Sequence, residues 1–466
     1  MLRVAVVGSG PSGCYTAQGL VQQDPSVCVD VLDRLPCPYG LVRYGVAPDH
    51  EKIKSLQHGL RAVLEHERVR FLGGVPVGGP GGLPTGRLRE LYHAVVYCVG
   101  AATDRRLGIP GEDLPGCWSA TEFVSWYSAH PDAVDHGFLR DVRDAVVIGV
   151  GNVALDVTRM LARGVAELSP TDLPEAALAA LAGSRVREIH MVGRRGPSQA
   201  RFTTKELREL SSLPDTALVV DPAELALDPA WADPSALPAA QRRNVEVLRG
   251  WASASTGTDA PGPGGAAATG TGAREPARRI RLRFFLRPVA LLGRDGRVGA
   301  VRFERTVPDG RGGITGTGEH EDVPAQLVLR SVGYLGVPLD GLPFDAALGT
   351  VPHREGRVLR DGVVASGEYV AGWIKRGPTG VIGTNRPCAK ETVASLLADA
   401  PALVREPVPG DAVAALRAEG FEPVPWAGWQ AIERAEAELG ASLGRAGVVK
   451  LPDWRSLRAA ARTAAP

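Results

Sequence analysis

Four residues near the start of the chain have the types and spacing needed to hold a dinucleotide. Gly8, Gly10 and Gly13 belong to the stretch G-S-G-P-S-G, directly after an apolar run and directly before a helical pattern. The first glycine permits a tight turn, the second lets the backbone approach a pyrophosphate, and the third packs helix on strand. Asp33 ends the next predicted strand, where a carboxylate can accept hydrogen bonds from a ribose. The pattern predicts a dinucleotide site; a plain structural turn is the alternative.

A second glycine loop occurs about 140 residues later, in the stretch "VIGVGNVALD". It contains Gly149, Gly151 and Asn152, with Ala154 in the third small position. The strand that follows runs into "MVGRRGP", so that Arg194 and Arg195 stand where the first unit has an acid. Two guanidinium groups can bind a 2′-phosphate, which an acid would repel. The pair therefore predicts an NADP site, and a solvated pair at a strand end is the alternative.

The opposite charges of the two loops predict two different nucleotides, FAD in the first and NADPH in the second. A hydride would then pass from nicotinamide to flavin, and a flavin can release its electrons one at a time. No four-cysteine spacing for an iron–sulfur cluster is present. A one-electron acceptor would therefore be a separate protein.

The elements around these loops predict an α/β fold with two doubly wound, Rossmann-like domains. Each glycine loop lies between a strand and a helix, followed by another strand. We expect the FAD-binding domain to be discontinuous, with residues 1–103 and 332–466, and the NADP-binding domain to be inserted as residues 104–331. Residues 252–278 are low-complexity Gly, Ala, Thr and Pro, which predicts a flexible insert within that second domain. A strand is expected over "RLRFFLRPVALLG", another over "VGAVRFERT", and a helical tail ends the chain.

Composition excludes several classes of protein. The net charge of +1 argues against nucleic acid as the main partner. The six cysteines are scattered without a C-x-x-C pair, so we expect no metal site and reduced thiols. No apolar run is long enough to span a membrane. The chain opens directly on a strand, which leaves no room for a signal peptide. We expect a cytoplasmic protein, without a membrane partner and monomeric.

The whole chain, apart from the insert, resembles adrenodoxin reductase and the related actinobacterial ferredoxin–NADP reductases. In the wider group of two-nucleotide flavoproteins an aspartate usually stands where this chain has Trp373, and a tryptophan is typical of this family. The motifs that carry the resemblance are "VVGSGPSGCYTAQGL", "PYGLVRYGVAPDH", "IPGEDLPG", "GVGNVALDVTRML", "GRRGPSQARFTTKELREL", "LRSVGY" and "AGWIKRGPTGVIGTN". The resemblance implies an NADPH-dependent ferredoxin reductase whose ferredoxin supplies downstream oxidoreductases such as haem monooxygenases.

The resemblance also implies the cofactor contacts. Family members usually have glutamate at Asp33, which is one methylene longer, so FAD affinity or the place of the ribose would differ here. Amides at the start of the helix after Gly380 would face the flavin pyrimidine ring. The implied FAD contacts are Ser12, Asp33, Leu41, Val77, Trp373, Gly380, Val381 and Ile382. The implied NADP contacts are Val150, Gly151, Asn152, Val153, Arg194, Arg195, Glu206 and Gly380.

Catalytic and partner-binding residues are implied in the same way. His50, in "APDHEKIK", matches an active-site histidine that pairs with a glutamate, here Glu209. Its role would be to orient the nicotinamide, and a surface histidine is the alternative. Asp156, on the first turn of the second loop's helix, would contact the same region. Positive charge for an acidic ferredoxin would come from Arg208, Arg242 and Arg243, each of which could equally be a solvated surface residue.

Other functions remain open from the sequence. A glutamate-synthase-type electron-input subunit shares the second loop but would need a cysteine-rich N-terminal cluster domain. A thioredoxin-reductase-like dithiol enzyme is excluded, because the sequence has no C-x-x-C pair. A flavin monooxygenase or a quinone diaphorase leaves little trace in sequence. From a different class, a non-catalytic NADPH-sensing flavoprotein would keep both nucleotide sites.

Overall fold

The computed structural model describes residues 1–255, 276–404, 408 and 410–463. The strands in these ranges are β1 (Leu2–Val7), β2 (Val27–Leu32), β3 (Val69–Leu72), β4 (Ala94–Tyr97), β5 (Thr103–Asp104), β6 (Cys117–Ser119), β7 (Asp144–Ile148), β8 (Glu188–Val192), β9 (Thr216–Val220), β10 (Arg278–Arg283), β11 (Leu286–Arg294), β12 (Arg297–Pro308), β13 (Ile314–Pro324), β14 (Leu327–Arg330), β15 (Tyr334–Leu335), β16 (His353–Arg354), β17 (Arg357–Arg360) and β18 (Val363–Val370).

The helices in the same ranges are α1 (Pro11–Gln23), α2 (Leu41–Tyr44), α3 (Glu51–Lys54), α4 (Leu56–Leu64), α5 (Thr85–Leu91), α6 (Ala120–Tyr127), α7 (Asn152–Ala162), α8 (Val165–Leu168), α9 (Glu175–Ala182), α10 (Thr204–Glu209), α11 (Pro222–Ala226), α12 (Pro229–Ala232), α13 (Ala239–Ser255), α14 (Trp373–Arg376), α15 (Asn385–Leu403), α16 (Ala412–Ala418), α17 (Trp426–Ser442) and α18 (Trp454–Arg462). None of these described helices is long and apolar enough to cross a membrane.

Seven strands form the first sheet, in the order β16-β17-β18-β4-β1-β2-β3. Strands β18, β4, β1, β2 and β3 are parallel to their neighbours, and β17 and β16 extend the sheet antiparallel at one edge. Val4, Ala5 and Val6 of β1 are fully buried, as expected of a parallel strand covered on both faces. The first glycine loop lies between β1 and α1, at the carboxyl edge of this sheet.

The second sheet has six strands in the order β6-β14-β7-β8-β10-β9, and every pair in it is parallel. Its central strand β7 leads through the second glycine loop into α7. Both loops therefore begin a helix at the carboxyl end of a buried parallel strand. The predicted α/β class with two doubly wound sheets is confirmed.

A third sheet was not predicted, and its first strand corrects one expectation. The run "RLRFFLRPVALLG" is two strands, because the chain bends at Phe285, whose φ is 56°. Strand β10 before the bend joins the second sheet, whereas β11 after it pairs antiparallel with β12, which pairs with β13.

The chain passes between the two large sheets twice, and the two connecting segments lie side by side. Strand β5 pairs antiparallel with β15, with Asp104 opposite Tyr334. The backbone amide of Arg105 also donates to the carbonyl of Gly333 at 2.9 Å. The predicted domain boundaries at 103 and 331 fall beside this ribbon, and we keep them as proposed boundaries.

The insert predicted over residues 252–278 begins later and ends earlier in the structure. Its first residues, 252–255, belong to α13, and Arg278 begins β10. The helix α13 therefore precedes the insert. Residues 256–275 lie outside the described residues. They connect α13 to β10, which is paired with β9 in the second sheet.

Candidate active site

The first glycine loop approaches the end of β4 closely. Gly8 has a φ of +109°, and a β-carbon there would lie 2.5 Å from the carbonyl oxygen of Cys98. Only glycine fits such a backbone at such a distance. The chain can therefore turn sharply from β1 into α1, whose first amide groups are left without helical partners.

The carboxylate of Asp33 holds this loop in place. Its Oδ2 accepts from the amide and the hydroxyl of Ser9, at 2.9 and 2.5 Å, and its Oδ1 accepts from the amide of Leu35 at 2.9 Å. Burial raises the pKa of Asp33, and these hydrogen bonds oppose that rise. Because a carboxylate has about four acceptor positions, Asp33 keeps room for one further donor.

Two buried polar atoms next to this loop have no hydrogen-bond partner in the described residues. They are the hydroxyl of Ser12 and the indole nitrogen of Trp373. A β-carbon on Gly372 would be 2.4 Å from the Ser12 hydroxyl, so the two loops face each other at this point. The Trp373 ring lies against Tyr334, with ring centroids 5.3 Å apart. Buried donors without partners are expected where a polar ligand completes the site, which fits a flavin nucleotide.

The loop from Gly377 to Thr384 is held from one side by Arg376. This guanidinium donates to Thr384 Oγ1 and Asn385 Oδ1, both at 2.9 Å. Gly380 has a φ of +81°, and Val381 is 57% exposed. A single 3₁₀ turn, Ile382–Thr384, precedes α15, so the predicted helix start after Gly380 is a 3₁₀ turn that continues into the helix.

Two further residues are implied as FAD contacts, Leu41 and Val77. Leu41 begins α2 and is partly exposed, at 37%. Val77 is buried and forms an isolated bridge with Leu83.

The second glycine loop is tied to the segment that follows β8. Asn152 accepts from the amide of Thr203 at 2.8 Å, and the Val150 carbonyl accepts from the amide of Arg201 at 2.9 Å. Gly151 and Val153 are half-buried in the same turn. Glu206 is buried and accepts from the Thr203 hydroxyl at 2.8 Å. Val150, Asn152 and Glu206 are therefore all connected to the segment 201–203.

Arg194 and Arg195 also follow β8. Neither guanidinium pairs with a carboxylate in the described part of the chain, and Arg194 is exposed. Burial, together with the charges of Arg194 and Arg201, lowers the pKa of Arg195. Three cations without an acid among them are suited to a doubly charged phosphate.

The implied catalytic residues meet between the two sheets. His50 Nε2 lies 2.7 Å from Glu209 Oε2, and His50 Nδ1 lies 3.7 Å from Asp156 Oδ1. His50 is buried, so it is not a surface histidine. Asp156 is on the second turn of α7 and not on its first, because the helix already begins at Asn152. Burial raises the pKa of Asp156 to about 6, against the charges of Arg159 and His50.

Sequence reasoning did not single out the cation at the centre of this group. Arg159, on α7, pairs with Asp49 through two hydrogen bonds of 2.6 and 3.0 Å and with Asp156 at 2.8 Å. Its Nη1 lies 3.6 Å from Glu209. Arg163 pairs with Asp49 as well, at 2.7 Å. In the sequence, this group could have been suspected from the i, i+3 spacing of Asp156 and Arg159, which indicates an ion pair on one face of a helix.

Two of the arginines implied in ferredoxin binding lie beside the segment 201–203. A cavity of about 690 Å³ is lined by Arg201, Lys205, Arg208 and Arg243, all exposed. Lys205 has a distant partner, Glu209 at 3.8 Å, whereas the other three have no ion pair in the described ranges. Arg242 is half-buried and does not line this cavity.

No cluster of three potential metal ligands occurs among the described residues. All six cysteines are unpaired, and five of them are buried.

Two glycine loops on two parallel sheets, one with an acid and one with arginines, define a pyridine-nucleotide-dependent flavoprotein oxidoreductase. Consistent with this class, residues 2–208 match the family model described as pyridine nucleotide-disulphide oxidoreductase.

The relatives narrow this class. The mitochondrial NADPH:adrenodoxin oxidoreductase of Arabidopsis thaliana is 39% identical over 480 residues, covering 99% of this chain and 95% of its own. NADPH-ferredoxin reductase FprA of Mycobacterium leprae is 42% identical over 470 residues, covering 97% of each chain. The structure of Mycobacterium tuberculosis FprA in complex with NADPH superimposes with a TM-score of 0.89 at 42% identity, covering 99% of both chains. The chain belongs to the family of NADPH–ferredoxin and adrenodoxin reductases, and the resemblance predicted from its motifs is confirmed.

Proposed function

We propose that this protein is an NADPH-dependent, FAD-containing ferredoxin reductase. The observation that carries the proposal is the contact of His50 with Glu209 and Asp156. His50 belongs to the part of the chain with the FAD-type loop, and the two acids belong to the part with the NADP-type loop. A hydride donor and its acceptor must meet between the two loops, and this group of side chains lies there.

The residues proposed to hold FAD come from the first glycine loop, the end of β2, and the segment around Trp373 and Gly380. Asp33 has a free acceptor position for a ribose hydroxyl, and Ser12 and Trp373 have buried donors without partners. Gly380, Val381 and Ile382 would present backbone amides to the flavin ring from the start of α15. Leu41 and Val77 would supply apolar contact.

The residues proposed to hold NADPH lie along the edge of the second sheet. Val150, Gly151, Asn152 and Val153 would bind the pyrophosphate at the start of α7. Arg194 and Arg195 would bind the 2′-phosphate. Glu206 supports the turn through its hydrogen bond with Thr203 and would contact the nucleotide. Gly380 would contact both cofactors.

When bound, NADPH supplies a hydride, and FAD accepts it and releases the two electrons singly. The part of the protein in this step is to position the nucleotide. His50 would orient the nicotinamide, and its hydrogen bond to Glu209 fixes the direction of the imidazole ring. Asp156 lies 3.7 Å from the other ring nitrogen of His50. When the Asp156 carboxyl is ionised, it places a negative charge beside the imidazole. Burial of this group excludes water from the path of the hydride.

The electron acceptor is proposed to be an iron–sulfur ferredoxin that serves enzymes such as haem monooxygenases. The names of the relatives include ferredoxin and adrenodoxin reductases. Here Arg208 and Arg243, with Arg242 next to Arg243 in the chain, have no ion pair among the described residues and would present positive charge to an acidic protein surface. Such charge raises the encounter rate and is weakened by salt. We also propose that the enzyme is cytoplasmic and monomeric. Its FAD domain would comprise residues 1–103 and 332–466, and its NADP domain residues 104–331.

Stopped-flow absorbance tests the proposal on the purified holoprotein. NADPH is expected to bleach the flavin within about a second, and NADH much more slowly. Subsequent addition of [2Fe–2S] and [4Fe–4S] ferredoxins should restore the oxidised flavin at a rate that falls as ionic strength rises. Reoxidation by quinones but by no ferredoxin would favour a diaphorase. A protein that binds NADPH without flavin reduction would be a non-catalytic nucleotide sensor.

A further inference from the structure

A guanidinium beside the candidate catalytic residues is completely buried. The side chain of Arg159 has no exposed surface. Removing such a charge from water costs several kcal/mol unless carboxylates compensate it. Three carboxylates do so here, and they come from three parts of the chain: Asp49, Asp156 and Glu209.

Two of these three carboxylates also face His50. Glu209 Oε2 is 2.7 Å from His50 and 3.6 Å from Arg159. Asp156 Oδ1 is 3.7 Å from His50 and 2.8 Å from Arg159. The third carboxylate, Asp49, directly precedes His50 in the chain. Arg159 therefore contacts every acid that positions the histidine.

We propose that Arg159 is a positioning residue for hydride transfer, holding Asp156 and Glu209 in the arrangement in which both face His50. The proposal rests on the proposed function of the same site. Arg159 does not itself need to touch either cofactor, because it acts through the two carboxylates.

Arg159 could instead have a purely structural role, in which it connects the two parts of the chain through Asp49. This role accounts for fewer of its contacts. Asp49 has a second cation, since Arg163 Nε lies 2.7 Å from its Oδ2. Asp49 would therefore remain paired without Arg159. Asp156 has no other cationic partner in the described ranges apart from His50, and the Glu209 contact with Lys205 is longer, at 3.8 Å.

The ionisation of Asp156 distinguishes the two roles. Its pKa is raised to about 6 by burial, and the adjacent Arg159 limits that rise. Asp156 is therefore mostly ionised at pH 7. Without the guanidinium, its pKa should rise by about one unit or more, and the carboxyl would be largely protonated at pH 7. The charged or titratable groups that face Asp156 are Arg159 on α7, His50 before α3, Glu206 on α10, Tyr127 on α6 and Tyr334 on β15.

The test compares Arg159→Met with the matched control Arg163→Met, which removes the other cation from Asp49 and leaves Asp156 and Glu209 untouched. Flavin reduction by saturating NADPH is measured from about pH 5 to pH 9. Arg159→Met should slow reduction at pH 7 by about 10- to 100-fold and move the acid-side midpoint of the rate upward by about one unit. The dissociation constant for NADPH should stay within about twofold, because the phosphate contacts are remote.

A second measurement does not depend on turnover. The infrared carbonyl band of a protonated carboxyl, assigned by its loss in Asp156→Asn, is followed against pH without NADPH. Its midpoint should rise in Arg159→Met and stay unchanged in Arg163→Met. If Arg159→Met does not retain flavin, Arg159→Gln takes its place in both measurements.

An unchanged midpoint in the Arg159 variant would overturn the inference, even where the rate is lower at every pH. That result would leave the proposed function intact, because the wild-type flavin would still be reduced by NADPH. Failure of the wild-type protein to show NADPH-dependent reduction would instead contradict the proposed function.

Discussion

Nε2 of His50 lies 2.7 Å from Oε2 of Glu209, although the two residues are 159 positions apart in the chain. His50 follows α2, beside the first sheet, and Glu209 ends α10, beside the second. A contact of this length between the two halves fixes how they meet. In the proposed function, the imidazole of His50 would orient the nicotinamide beside the flavin.

Replacement of His50 by alanine should therefore slow flavin reduction while leaving the oxidised flavin spectrum intact. Errors in placement of a reacting group can cost about 10²-fold in rate. The measurement is the limiting reduction rate with saturating NADPH. His58→Ala, at an exposed histidine in α4, is the matched control and should behave like wild type. Equal rates in the two variants would argue against an orienting role for His50.

The sequence predicted both glycine loops because the physics of such loops is local. In β1 the buried run Val4–Val7 ends directly at Gly8, and the helix follows within four residues. The same holds for β7 and α7. Strand, turn and helix are each determined by residues close in the chain, so their patterns can be read without the fold.

Long-range contacts were not predictable in the same way. The spacing of Asp156 and Arg159 shows one ion pair, but nothing in the sequence shows that Asp49 and Glu209 reach the same guanidinium. The bend at Phe285 was missed because a continuous apolar run does not distinguish one strand from two. The backbone amide of Phe285 donates to the carbonyl of Arg195 at 3.3 Å. The bend is therefore held by a residue 90 positions away in the chain. Even the pairing of His50 with Glu209 followed from the family resemblance and not from spacing.

A buried ion-pair group outside the candidate site predicts a stability effect. Asp172 Oδ2 lies 3.0 Å from Lys450 and pairs closely with Lys54. Although burial opposes it, the two ammonium groups hold the pKa of Asp172 well below its usual value. Burial lowers the pKa of Lys450 to about 7, so both amines are protonated only below neutral pH. Asp172→Asn would then leave Lys54 and Lys450 without a carboxylate, and we expect a loss of about 3–5 kcal/mol in the free energy of unfolding at about pH 5.

Urea unfolding measures this loss, with Asp113→Asn as the control because the Asp113 side chain is 84% exposed. A lowered carboxyl pKa stabilises the fold above the unfolded-state pKa and loses that effect as pH falls through the folded-state value. Because Lys450 loses its proton near pH 7, the difference between wild type and Asp172→Asn should be largest near about pH 5 and should shrink both below about pH 4 and above about pH 7. A difference that stays constant into strong acid would contradict the proposed ion pairs.

Shortening the low-complexity segment should leave the enzyme nearly unchanged. Removal of residues 261–270 keeps all of α13 and β10, and halving the length of a connecting segment changes its closure free energy by only about 0.6 kcal/mol. We expect unaltered flavin content and NADPH oxidation, measured on the purified deletion variant. Leu248→Ala in α13 is the contrasting variant, because a fully buried leucine is removed and a loss of about 2–5 kcal/mol is expected. Loss of flavin in the deletion variant would assign the segment a structural role.

The unpaired arginines after β8 predict a change of coenzyme preference. A hydrogen bond to a charged group contributes about 1.5–3 kcal/mol, and every 1.4 kcal/mol is about tenfold in affinity. Arg194→Ala combined with Arg195→Ala should therefore raise KM for NADPH by about 10²-fold or more. KM for NADH should change little, because NADH has no 2′-phosphate. The maximal rate should also change little, since phosphate binding is equally strong in the ground and transition states.

The control for this double variant removes two arginines that lie far from the nucleotide edge. Arg294 and Arg297 are exposed in the turn between β11 and β12, and their replacement by alanine changes the net charge by the same amount. Steady-state KM values for NADPH and NADH are then compared in all three proteins. If loss of Arg194 and Arg195 affects NADPH no more than the control does, the 2′-phosphate is bound elsewhere. If KM rises equally for both coenzymes, the pair supports the fold of the loop and does not read the phosphate.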